Sequence, residues 1–97
     1  MIYHLLEKPE WESRQKGDQP VAAPGPDGFV HCCDEGQLAT VRAAYFSDGV
    51  AVVALRIDPT RLAFETRYEP GAGGEAERFP HVYGVIDFST IDGVVDI

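Results

Sequence analysis

The chain of 97 residues is 44% hydrophobic and 25% charged, and its net charge is −8. That length accommodates one domain, residues 1–97, with a core sufficient to fold without disulfides. The acidic balance argues against duplex nucleic acid and against an anionic membrane surface, because both recruit clustered Lys and Arg. It leaves room for a small ligand held by a local patch.

The opening MIYHLLEKPEW has no basic region followed by a long apolar run, so no leader is expected and a cytoplasmic location is the simplest reading. Ile2 to Leu6 alternates as a strand does, with Ile2, His4 and Leu6 on one face and Tyr3 and Leu5 on the other. Pro9 suits a first helical turn, since its missing N–H would be unpaired there. Glu10 and Arg14 form an i, i+4 pair that also complements the helix dipole. Trp11 is the one large apolar side chain of this helix and is its expected anchor. Gly17 ends the helix.

The stretch GDQPVAAPGPDG, from Gly17 to Gly28, reads as a surface loop with a brief extended piece at Val21–Ala23. Loops of this length serve as binding segments or as plain connectors. GFVHCC then reads as a second strand, Phe29 to Cys33, running straight into a helix at Asp34. Asp34 and Gln37 have the spacing of a capping box. Leu38, Val41 and Tyr45 share one face of that helix. The two cysteines are adjacent and poorly placed to close a loop, so no disulfide framework is expected and the reducing cytoplasm again fits.

VAVVALRI, Val50 to Ile57, is nearly all apolar and suits a central strand covered on both faces. Phe64 to Glu69 alternates, with Phe64, Thr66 and Tyr68 opposed to Glu65, Arg67 and Glu69. PGAGGEAER is a loop, Phe79 to Phe88 holds another strand and Val94–Ile97 a last one. The order β-α-β-α-β-β-β-β makes an α+β domain with a mixed, strongly curved sheet and two helices. Nothing in the pattern decides the oligomeric state.

Three histidines, His4, His31 and His81, all sit in strand-like segments among apolar neighbours. Rings on different strands converge if those strands meet. Cys33 stands at a strand-to-helix junction, where free N–H groups attract anions and activate thiols. Glu69 ends a strand before a glycine-rich loop, where a carboxylate can bind a ribose hydroxyl or take a proton. His81 and Tyr83 lie two apart on one face of FPHVYG. Glycine-rich phosphate motifs, CxxC and HExxH are missing, and the histidine spacing matches no local metal motif, so no metal is expected.

Taken in order, IYH, Trp11, GFVHC, the YF closing the second helix, LRIDPTRL, YE and FPHVYG resemble a small bacterial family catalogued as domain of unknown function 952. The likeness spans nearly the whole chain. The sequence departs from it at Cys33, where the family usually carries Ser, and at Tyr68, where Trp is frequent. The resemblance implies a fold similar to the ADP-ribosyltransferase superfamily, which includes the RNA 2′-phosphotransferases, with a curved, split sheet around a nucleotide-sized cleft. It implies an NAD- or ADP-ribose-handling transferase, with NAD as substrate and a nucleotide-like small molecule as ligand. In that reading His4 contacts the ribose, Tyr45 or Tyr83 stacks on a flat ring, and Glu69 is the late carboxylate. His31 and His81 belong to the smaller family's own motifs. Glu69 and His81 are thus the candidate catalytic groups, and His4, His31, Cys33, Tyr45 and Tyr83 the candidate ligand contacts. Two other classes stay open: a nucleotide- or protein-binding module without turnover, and a hydrolase using Cys33 with His31 or His81 as base.

Overall fold

The alternation at the start of the chain becomes strand β1, Ile2–Glu7. The computed structural model describes residues 1–71 and 76–97, so the tip of the PGAGGEAER loop lies outside the described residues. Helix α1 (Lys8–Gln15) follows at once, with Pro9 in its first turn. Strand β2 is Val30–His31, and helix α2 is Leu38–Tyr45, entered through a 3-10 turn at Glu35–Gln37. Strands β3 (Val52–Ile57), β4 (Thr66–Pro70), β5 (Arg78–Val82) and β6 (Ile91–Asp96) complete the order. Element types and order match the sequence reading, and the domain is α+β.

The strands form two sheets, β1-β3-β6 and β2-β5-β4. Every pairing between the named strands is antiparallel, where the sequence reading expects a mixed sheet. The chain path explains the difference. After β1 the chain crosses to the second sheet, then re-enters the first beside β1 from the opposite end.

β3 is the central strand of its sheet, and its side chains divide between two cores. Val53, Leu55 and Ile57 join Ile2, Leu6, Trp11, Val30, Val82 and Ile86 on one face. Val52 and Ala54 join Tyr3, Leu5 and Cys33 on the other, with Leu38, Val41, Phe46 and Phe79 packed over them. Full burial of each large aliphatic side chain here contributes about 1.5–3 kcal/mol. Trp11 is 9% exposed and anchors α1 as expected, its ring 5.8 Å from that of Phe88.

GFVHCC does not stay in one sheet. Only Val30 and His31 pair with β5. Two residues later, Cys33 pairs with Tyr3 of β1 through two backbone bonds of 2.8 Å. The segment is a strap from the second sheet to the first, because a curved sheet cannot keep one strand in register with both. The expected extended piece at Val21–Ala23 forms a similar single bridge, Ala22 to Ile86. The strand expected across Phe79–Phe88 ends at Val82 and bends at Tyr83–Gly84. A Cβ at Gly84 would lie 2.0 Å from Cγ of Phe64, so only glycine permits this close approach.

Candidate functional site

β1 presents His4 at the outer edge of the first sheet, and the strap carries His31 past it. Nδ1–H of His4 donates to the backbone carbonyl of His31 at 2.7 Å. A carbonyl only accepts, so the proton sits on Nδ1 and Nε2 is left as the other ring nitrogen. That atom has no hydrogen-bond partner among the described residues, and no side-chain nitrogen or oxygen among them is both buried and unpaired. Nε2 therefore reaches solvent. Burial lowers the proton affinity of this ring; the bond to His31 opposes that and the Arg14 guanidinium adds to it.

His31 is fixed from its other side. Its Nε2 lies 2.7 Å from Oδ2 of Asp27, four residues earlier. Between them Gly28 adopts φ +89°, a left-handed turn that folds Asp27 back toward the ring. The hydrogen bond from His31 is the first cause holding the Asp27 carboxyl below its ordinary value.

These residues open onto a cleft of about 430 Å³ between β1, the strap, α2 and the end of β4. His4, His31, Cys33, Tyr45 and Asp27 all line it, with Phe46 and Phe79 among its apolar walls. Four of the sequence-derived candidates thus share one hollow, and Tyr45, 65% exposed, stands at its rim. A second hollow of about 370 Å³ lies on the far side of His4 and His31 and includes Arg14 and Phe29.

The other three candidates form a separate cluster. Arg67 pairs with His81 across β4 and β5, and Glu69 sits two residues along on the same face. Nδ1–H of His81 donates to Oε1 of Glu69 at 3.0 Å, and the Tyr83 hydroxyl donates to the same oxygen at 2.5 Å. Those two bonds, Tyr83 first and His81 second, lower the carboxyl's pKa. The same bond to Glu69 raises the pKa of the Tyr83 hydroxyl. Arg67 lies 4.5 Å from the centroid of the Tyr83 ring, a cation–π contact. His81 is 4% exposed and does not line the cleft.

Phe29 joins the two groups. Its ring stacks on His81 at 3.9 Å, and lies 4.6 Å from His31 and 5.4 Å from Tyr83. His31 and His81 face each other directly across β2 and β5, with ring centroids 5.5 Å apart. All three imidazoles therefore gather in one region. Two reach the cleft and the third is packed behind them.

Cys33 is 1% exposed, and burial first, then the Asp34 carboxylate, pushes its thiol up to about 11. Burial likewise raises Cys32. The expected field of a helix N-terminus does not lower either thiol, because burial dominates at both and the Asp34 carboxylate adds to it beside Cys33. The capping box of Asp34 and Gln37 forms as expected, with Asp34 N–H donating to Oε1 of Gln37 at 2.8 Å. Tyr68 donates its hydroxyl to Asp34 at 2.8 Å. Among the described residues, no three His, Cys, Asp or Glu side chains gather as a metal site.

Sequence reasoning missed Asp27 and Phe29. The signal for Asp27 was present in Asp27-Gly28, an acidic residue and a turn-forming glycine just ahead of a histidine strand.

The fold and site define a small α+β domain of two antiparallel sheets with a histidine-lined cleft at their junction. The family model described as "Protein of unknown function (DUF952)" matches residues 5–94, and the chain belongs to that family. The crystal structure of protein CC0527 from Caulobacter crescentus is similar, at 25% identity and a TM-score of 0.68, covering 98% of this chain and 83% of that one. A double methionine mutant of the same Caulobacter protein superposes with a TM-score of 0.67 at the same identity and coverage. No curated protein matches.

Proposed function

We propose that this protein binds an NAD- or ADP-ribose-like ligand in the cleft and acts on it as a transferase of the ADP-ribosyltransferase-like kind. The observation that carries the reading is the meeting of His4 and His31, separated by 27 residues, at one apolar-walled hollow. Concave, mostly apolar sites with a few fixed polar groups are the ordinary form of a small-molecule site. His4 Nε2 and the outward nitrogen of His31 accept ligand hydroxyls. Tyr45, free at the rim, stacks on a flat ring; Tyr83 is engaged by Glu69, Phe29 and Arg67. Glu69 lies outside the cleft lining, held by Tyr83 and His81, so it steadies the charge of a departing group only for a ligand that extends past Phe29 toward it. His81 holds Glu69 in place. The unpaired, buried state of both cysteines fits a reducing cytoplasmic compartment.

Calorimetric titration with NAD and ADP-ribose tests binding. Micromolar affinity, weakened tenfold or more by His4→Ala or His31→Ala, supports the reading. Millimolar binding indifferent to both substitutions removes it.

A module that binds without turnover is favoured by one observation: Oε1 of Glu69 is already shared by Tyr83 and His81. Incubation with NAD separates the two, since a binding module releases no nicotinamide. The Cys33 hydrolase has less support, because a thiol near 11 is almost wholly protonated at neutral pH and the thiolate is the nucleophile.

A further inference from the structure

The chemistry of the cleft narrows the ligand beyond the proposed function, on which this inference rests. The cleft meets its ligand with acceptors. His4 spends its Nδ1–H on the carbonyl of His31, and the ring of His31 turns Nε2 toward Asp27. Nε2 of His4 and Nδ1 of His31 have no hydrogen-bond partner among the described residues, and in a neutral ring each is a lone-pair acceptor. Burial of His4 favours its neutral form. The Asp27 carboxylate lies on the same wall and adds a negative charge.

Cations are missing from this wall. No Lys or Arg is among the described residues that line the cleft, and residues 72–75 are Ala, Gly, Gly and Glu in the sequence. Arg14 lines the neighbouring hollow, which shares His4, Asp27 and His31 with the cleft, but its guanidinium is already engaged twice, by Glu10 at 2.5 Å and by the carbonyl of Val21. A phosphate entering the cleft would meet the acceptor Nε2 of His4, the Asp27 carboxylate and a chain of net charge −8. Phosphate sites are built the opposite way, from Arg, Lys and backbone N–H groups.

We propose that the cleft recognises its ligand as a nucleoside, with a flat ring among Tyr45, Phe46 and Phe79, donor hydroxyl or amino groups on His4 and His31, and no phosphate inside. Any phosphates of a larger ligand stay in solvent. An uncharged or cationic ring fits beside Asp27 and an anionic one does not.

The test compares each nucleoside with its own 5′-monophosphate on the full chain: adenosine with AMP and cytidine with CMP, by calorimetry. At about 10 mM salt, where charges act over roughly 30 Å, at least one nucleoside binds about tenfold more tightly than its monophosphate. The gap shrinks at about 1 M salt, where the range is roughly 3 Å. Asp27→Asn narrows the gap at low salt. Tyr45→Ala, at an exposed rim position that folding does not need, weakens nucleoside and monophosphate alike. A monophosphate that binds tenfold better than its nucleoside overturns the inference and leaves the proposed function standing. ADP-ribose binding with neither nucleoside binding does the same. Failure of nucleosides, monophosphates and ADP-ribose together overturns both.

Discussion

His4 and His31 come from strands of different sheets, and a single 2.7 Å bond from Nδ1–H to a backbone carbonyl joins them. That bond orients His4 from outside its own sheet. It also makes the state of the ring depend on the fold, since the burial that lowers its proton affinity exists only when the two sheets meet.

A pH dependence of stability follows. In the unfolded chain His4 titrates near ~6.5. Its folded value is lower, so between the two the unfolded state binds more protons and stability rises with pH. The contribution is complete above the unfolded value and is lost as pH falls toward the folded one. Thermal unfolding from pH 8 to 5 should show a steeper decline in wild type than in His4→Gln. Parallel curves would show that the ring titrates as if unfolded.

Glu69 acts with the same sign, since its folded value is also depressed, but in a different window. Its folded value is depressed by Tyr83 and then His81, so its contribution is present above the ordinary carboxylate value of ~4.3 and fades as pH falls below it. Glu69→Gln should lower the melting temperature at pH 7, with the deficit shrinking below about pH 4. A deficit equally large at pH 3 would mean that packing, not charge, ties the three residues together.

The bend after β5 depends on a missing side chain. A methyl at Gly84 meets Phe64 at 2.0–2.6 Å, and Phe64 is 46% exposed. Overpacking of this kind costs about 1–3 kcal/mol, and each kcal/mol lowers the melting temperature of a domain this size by roughly 4–8 °C. Gly84→Ala should therefore destabilise clearly. Gly84→Ala with Phe64→Ala should recover most of the loss, because the obstructing ring is gone. No recovery would place the cost in the backbone instead.

Thiol chemistry separates wall from nucleophile. With its value near 11, the Cys33 thiol has about a hundredth or less of the thiolate present in a free cysteine of ~8.5. Alkylation of Cys33 by iodoacetamide at pH 7, followed by mass spectrometry, should be at least ~100-fold slower than for a free thiol, with Cys32 slower still. Labelling of Cys33 at or above the free-thiol rate would return it to the list of reactive groups.

Much of the architecture was legible because it rests on local physics. The alternation in IYHLL and the apolar run VAVVALRI are statements about faces, and the faces held: Ile2 and Leu6 join one core and Tyr3 and Leu5 the other, and β3 splits between the same two cores. Pro9, Trp11 and the Asp34–Gln37 spacing announced both helices. The site was legible in part. Three histidines in apolar strands pointed to one region, and they do gather there. Which of them reaches solvent was not legible, since His81 is closed off by Phe29 and Glu69, a stacked ring and a carboxylate from elsewhere in the chain.

The sequence by itself determined the elements, their order and the residue types available for chemistry, because propensity, pattern and turn residues act over a few positions. Only the tertiary structure decided that GFVHCC leaves one sheet to join another, that Asp27 folds back on His31 and that Cys33 is sealed and kept protonated. Those outcomes depend on sheet curvature and on burial, which sum contacts between residues tens of positions apart.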